Sequence, residues 1–371
     1  MFNPQRLTMA RMRRGMNMTQ FAKAIDVELR SVSGYEKGEY EPKDDRLERI
    51  SKVLRFPVSF FMQGDIPLVS PDTASFRAMS KMSAAKRDVA LSAGSIALLL
   101  NQAIESRFVL PTIDLPDLSR EPTPEAAASE LRRHWGLGEL PIKNVVHLLE
   151  SKGVRVFSLV IEAEEVDAFS LWREANPFVF LNTQKSSERS RFDSCHELGH
   201  LVIHHHGEQR IGNQRVDGSQ VVEREADAFA SAFLMPRASV LGYAPRVPTL
   251  NQLLKLKQIW GVSVAALNYR LHQLGVTTEW HYRELAIQIA RKGYRKAEPN
   301  SLPRETSQVL GKVLSGLRNE GVSKQGLADE LCISVEEIDD LVFGLALTGL
   351  THNGLTTPPK TPRKTVLRRV K

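Results

Sequence analysis

The run Phe192-Asp193-Ser194-Cys195-His196-Glu197-Leu198-Gly199-His200-Leu201-Val202-Ile203-His204 decides how the centre of this 371-residue chain is read. Its apolar positions fit a helix over about Ser190–His205. On a helix, residues four apart lie one turn apart on the same face. His196 and His200 therefore present two imidazoles to one divalent ion, and Glu197 projects beside the open coordination position. A carboxylate placed there can take a proton from the attacking water and pass it to a leaving amine. Cys195 points away from that face, into the core. His204 shares the face but lies about 12 Å along the axis from His196, too far for one ion to bind all three histidines. It is expected to support the site rather than ligate, with His205 and His206 exposed.

A third ligand is sought downstream. Glu223-Arg224-Glu225-Ala226-Asp227 begins a second helix, about Gln220–Leu234, whose Ala226, Ala230 and Phe233 form an apolar stripe. Glu223 and Glu225 are separated by about 200° around the helix, so only one of them can face the ion. Glu223 is favoured because Asp227 follows it by four residues. Thermolysin-type metallopeptidases pair a Glu ligand with an Asp at that spacing, and the Asp orients a ligand imidazole. Glu225 is the alternative. Val154–Ile161 and Phe178–Leu181 are the best strand candidates. In such enzymes an edge strand beside the metal pairs with an extended substrate, and Phe178–Leu181 is expected there, with Asn182, Arg189 and Arg191 at the cleft mouth.

Residues 1 to about 62 read as short helices broken at Gly15, Gly38 and Pro57. Phe21, Ala22, Ile25, Val27 and Val32 supply a core for two helices meeting at a tight turn, and Asp26 can adopt the turn conformation that Gly often fills. The second helix of such a unit enters the major groove with its early residues at base edges. Arg30 is the candidate base reader, Ser31 a base or phosphate contact, and Lys37, Lys43 and Arg13 phosphate contacts.

These patterns resemble two known families joined in one chain. Residues about 5–62 resemble the Cro/cI-like (XRE-type) helix-turn-helix domain. Residues about 140–270 resemble the ImmA/IrrE family metallopeptidase domain, through the run at 192–204, Glu223-Arg224-Glu225-Ala226-Asp227-Ala228-Phe229-Ala230, and Phe233-Leu234-Met235-Pro236. The resemblance implies a zinc-dependent endopeptidase, with manganese as the alternative metal, that cleaves a helix-turn-helix repressor or itself in response to stress or mobile-element signals. His196, His200 and Glu223 become ligands and Glu197 the general base, beside the supporting places that spacing gives Asp227 and His204. The chain departs from the family at Cys195, Glu28 and Gly34. The competing reading is a non-catalytic regulator whose metal domain senses a ligand or holds another protein, as an antitoxin does.

The expected fold is mainly α with a small β-sheet. It comprises a five-helix head (1–62), a linker and connecting helix (63–124), an α+β zincin-like domain (125–295), a small helical unit (300–349) and a basic, disordered tail (350–371). The stretch Gly326–Val335 looks like a second helix-turn-helix, but Glu336, Glu337, Asp339 and Asp340 would repel phosphate, so a protein contact is expected of it. Composition agrees with this organisation: 42% hydrophobic, 25% charged and a net charge of +7, partly concentrated in the tail, which suits an acidic partner such as double-stranded operator DNA. Only two cysteines exclude a disulfide framework and fit a cytoplasmic setting. The N-terminus lacks the apolar core of a secretory signal, and no apolar run suits a membrane span. Paired half-sites lead to the expectation of a homodimer.

Overall fold

The computed structural model describes residues 1–70, 83–160, 168–204 and 218–346. The expected tail, His205, His206 and the end of the first predicted strand lie outside those ranges. The described chain is mainly helical with one three-stranded sheet.

The head is built from α1 (Pro4–Arg13), α2 (Met18–Ile25), α3 (Leu29–Lys37), α4 (Asp44–Leu54) and a 3-10 turn, Val58–Met62. Local chemistry sets each boundary. Asn3 caps α1 by accepting from the amides of Gln5 and Arg6, and Pro4 needs no such partner. Asn17 and Gln20 form a reciprocal capping box on α2. Asp26 follows in the left-handed region at φ +58°, and Gly38 ends α3 at φ +70°. Phe21, Ile25, Val32, Ile50 and Leu54 close the core with no exposure.

The long helix α5 (Ala84–Glu105) carries the head on one side, where α1 packs against it. On its other side lies the sheet of β1 (Arg155–Ser158), β2 (Ala168–Arg173) and β3 (Asn176–Leu181), in the order β1-β3-β2 with β1 parallel and β2 antiparallel to β3. The period-2 alternation sorts the faces. Phe169 and Phe180 stack at 4.4 Å on the face that Gly94 of α5 approaches. Ser170 and Trp172 point to the opposite face, onto α8 (Ser187–Ile203). The sheet is thus held between a scaffold helix and the helix that bears the metal motif. Around α8 lie α6 (Pro124–His134), α7 (Val145–Ser151) and α9 (Gly218–Leu234). They are followed by α10 (Arg237–Tyr243), α11 (Leu250–Trp260), α12 (Val264–Gln273) and α13 (Glu279–Arg291). Buried charges tie these helices together. Lys257 on α11 reaches Glu188 at the start of α8 and Glu298, and Arg270 on α12 makes a two-pronged pair with Glu125 at the start of α6.

The C-terminal unit comprises α14 (Gln308–Asn319), α15 (Lys324–Leu331) and α16 (Val335–Val342). It repeats the geometry of the head. In both, a capped eight-residue helix ends in a left-handed residue (Asp26 or Cys332) and the next helix starts three positions later. In this register Glu337 takes the place of Ser31, a position expected to face DNA. The acidic helix does not face solvent there. Arg13 donates to Glu337 at 2.8 Å and to Asp340 at 2.9 Å, and Arg14 pairs with Glu337 at 2.8 Å. Arg13 and Glu337 are almost fully buried. This corrects the expectation that Arg13 contacts phosphate: its guanidinium is already used inside the chain. It also identifies the protein surface that α16 meets, which is the head of the same molecule.

A buried charge left without its partner costs about 3–5 kcal/mol, whereas replacing the whole pair by apolar groups is often neutral. Glu337→Ala is therefore expected to lower the urea midpoint of the unfolding step that includes the head. The double variant Arg13→Met/Glu337→Leu should recover most of the loss. Equal losses in both variants would show that the pair is not what joins the two units.

Candidate metal centre

Ser186 starts α8 by accepting from the amide of Arg189, and Glu188 in the first turn anchors it through Lys257, Ser301 and the amide of Leu302. One side of the helix, with Cys195, Leu198, Leu201 and Val202, is buried in the core. Burial pushes the Cys195 thiol well above the usual range, so it is inert as a ligand. The other side meets α9. The crossing point is Gly199, where a methyl group would lie 3.0 Å from the Phe229 ring and 3.4 Å from the Cα of Ala226. A side chain here would be in tight contact with both, so glycine favours this approach. It places Glu223, one turn before Ala226, against the two histidines.

The Nε2 atoms of His196 and His200 are 3.0 Å apart. Glu223 brings one carboxylate oxygen to 3.3 Å from His196 Nε2 and the other to 3.5 Å from His200 Nε2. Four ligands at zinc's preferred 2.0–2.1 Å stand at the corners of a tetrahedron with edges of about 3.3 Å. The three spacings match such an edge, so the donor set fits a zinc ion in both type and size. Glu197 also lies near the histidines, within 4.8 Å. Its Oε2 accepts a hydrogen bond from Ser170 of β2 at 2.6 Å, which fixes the carboxylate beside the two imidazoles.

The supports differ between the two imidazoles. His196 Nδ1 meets Asp227 directly at 2.9 Å. His200 Nδ1 meets His204 Nδ1 at 3.1 Å, and His204 Nε2 meets Glu225 at 3.0 Å. The helix stops at Ile203, and the extended backbone of His204 (φ −107°, ψ 103°) lets its ring fold back toward His200. Glu223 and Glu225 thus both reach toward α8 but at different points, Glu223 at His196 and His200 and Glu225 at His204 where the helix ends. Burial opposes charge on His196, but Asp227 and Glu223 outweigh it and raise its pKa to about 10. Burial works against the Glu223 carboxylate too, yet its bonds to His196 and His200 hold it well below the usual range. Burial lowers the pKa of His204, with Glu225 opposing.

Other expected residues fall elsewhere. Phe178–Leu181 is in the central strand, paired on both sides. Among the described residues the edge strand beside α8 is β2, which the sequence reading did not identify. Asn182 is buried and accepts from the Gln184 amide, and Arg191 is buried against the Trp260 and Ile142 carbonyls and Glu305, so neither lines a cleft mouth. Arg189 is half exposed and pairs with Asp193. Ser170 was missed as well. Its one sequence signal is a hydroxyl between Phe169 and Leu171 in an apolar run, and nothing local says that it touches Glu197.

In the head, Arg30, Lys37 and Lys43 are exposed and Ser31 is partly so, at the start of α3. Gly34 has a packing reason: a methyl there would come within 2.4 Å of the Tyr40 ring. Its lack of a side chain serves the ring stacked beneath α3.

Because the His196 proton must leave before a metal can bind, loading should release about one proton. Zinc affinity should then rise about tenfold per pH unit between about pH 6 and 9. Chelator-competition titrations across that range check this, and a flat profile would contradict it.

Residues 149–272 match the peptidase-family model described as the IrrE N-terminal-like domain, and residues 7–61 match a helix-turn-helix model. No curated protein matches the chain. Among the described residues, no helix is long and apolar enough to cross a membrane. The matched segments are the ones that hold α2–α3 and the histidine–glutamate cluster, and the chain is therefore an XRE-type helix-turn-helix DNA-binding domain carried on the same polypeptide as an IrrE/ImmA-type peptidase domain.

Proposed function

We propose that this protein is a DNA-bound regulator that acts as a zinc endopeptidase, cleaving a repressor of the helix-turn-helix type or itself when a stress or mobile-element signal arrives. One observation carries the reading: His196, His200 and Glu223 stand at tetrahedral spacing while Glu197 is held beside them by Ser170. A regulator that only bound metal would have no use for a base fixed in that position. When bound, zinc, or manganese in its place, supplies Lewis acidity at a peptide carbonyl. Glu197 accepts a proton from the attacking water and returns it to the leaving amine. Ser170 holds the Glu197 carboxylate in one rotamer. Among the described residues β2 has no strand partner on the side away from β3, and that edge offers backbone groups to an extended substrate segment. The head supplies location: Arg30 reads a base, and Ser31, Lys37 and Lys43 engage base or phosphate. A homodimer would place two heads on paired half-sites.

The decisive experiment expresses wild type and Glu197→Gln in the native host, with and without stress, and compares new protein N-termini by mass spectrometry. A cleavage specific to wild type is expected. Identical profiles, with both proteins holding metal and DNA, would instead make this a metal-bearing regulator without peptidase action.

At the head, Arg30→Ala is expected to weaken binding to the selected operator by about 1–3 kcal/mol and to relax one base position. Lys37→Ala should weaken all duplexes alike and reduce the salt slope by about one. Fluorescence anisotropy over a salt series separates the two. Loss of base preference with Lys37→Ala rather than Arg30→Ala would reverse the assignment.

A further inference from the structure

Glu225 is left over once Glu223 takes the ligand position, yet it is not an idle surface acid. Its Oε2 lies 3.0 Å from His204 Nε2, and His204 Nδ1 lies 3.1 Å from His200 Nδ1. The hydrogens in this chain can be placed in one way that leaves each imidazole neutral and His200 Nε2 available as a lone pair. His200 then carries its hydrogen on Nδ1 and donates it to His204 Nδ1. His204 carries its hydrogen on Nε2 and donates it to Glu225. Each ring has one hydrogen and one acceptor, so the direction set at Glu225 fixes both tautomers. The reverse direction would put a hydrogen on His200 Nε2, 3.0 Å from His196 Nε2, and remove the lone pair that faces Glu223.

We infer that Glu225 and His204 are positioning residues that form a two-step relay: the Glu225 carboxylate sets the His204 tautomer, and His204 holds His200 with its Nε2 lone pair aimed at the metal. The two ligand imidazoles are thereby supported unequally, His196 by a carboxylate in direct contact and His200 by a carboxylate one ring removed. The relay also joins the end of α8 to α9 beyond the Gly199 crossing, so the position of the second ligand depends on both helices. A carboxylate behind a metal-bound imidazole contributes about 10–100-fold in metal affinity.

This inference rests on the metal-centre reading, and the experiment separates the two. Zinc dissociation constants of the full-length chain are measured by chelator competition for wild type, Glu225→Ala, His204→Phe, the double variant and Glu223→Ala, with circular dichroism confirming unchanged helix content. His204→Phe keeps a ring of similar size, and Glu225 is half exposed, so both variants are expected to fold. The relay predicts that each single variant loses about 10–100-fold and that the double variant loses no more than the worse single one. Two supports acting independently of each other would make the losses add. Single variants with unchanged affinity, or additive losses, overturn the relay while the metal centre stands. If Glu225→Ala abolishes binding while Glu223→Ala keeps it, Glu225 is itself the ligand and the relay is wrong. A wild-type chain that takes up no zinc removes the metal reading on which the relay depends.

Discussion

Two helices, 187–203 and 218–234, touch backbone to side chain at Gly199, and the site depends on that contact. A methyl at Gly199 would press on Phe229 and lie close to the Cα of Ala226, so a side chain there works against the close approach of the two helices. Separation by even an ångström would take Glu223 out of the triangle it forms with His196 and His200. It would also part His204 from Glu225 and His196 from Asp227. The glycine of the motif is thus a distance constraint, and it acts on ligands that lie on a different helix from itself.

Around that contact the molecule is held by charge pairs in which at least one partner is buried. Lys257 with Glu188 and Glu298 fixes the start of the motif helix, and Arg270 with Glu125 joins two helices far apart in sequence. Arg13 with Glu337 and Asp340 joins the first helix to the last. Apolar packing is non-directional, whereas a two-pronged guanidinium–carboxylate pair accepts one geometry. Such pairs specify how rigid pieces sit together more than they stabilise them, since desolvation offsets much of their attraction. The C-terminal unit illustrates a change of use within one geometry. Where α3 carries the exposed Arg30 and the partly exposed Ser31, α16 presents carboxylates to the arginines of the head.

The helix-turn-helix and the metal motif were legible because both are local. Asn17 and Gln20 cap a helix through neighbours three residues apart, Asp26 turns the chain by its own φ, and His196 and His200 share a face because 3.6 residues make a turn. Even the mutual exclusion of Glu223 and Glu225 was contained in helix geometry, although which of them faced the ion was not. The edge strand escaped notice because β2 is distinguished from β3 only by what pairs on its other side, and Phe178–Leu181 has the stronger apolar signature. The surroundings of Gly34 and Arg191 were not legible for a related reason: Tyr40 and Glu305 reach them through the fold, not along the chain.

By itself the sequence determined the two domain types, the placement of His196 and His200 on one helix face with Glu197 beside them, and the α-rich fold class, since these rest on periodicity, caps and short spacings. Only the tertiary structure decided that Glu223 joins the histidines while Glu225 backs His204, that Ser170 holds Glu197, and that Arg13 is taken by Glu337. Each of those choices depends on the direction in which one element crosses another. That direction is set by the packing of side chains distant in sequence, and no local pattern encodes it.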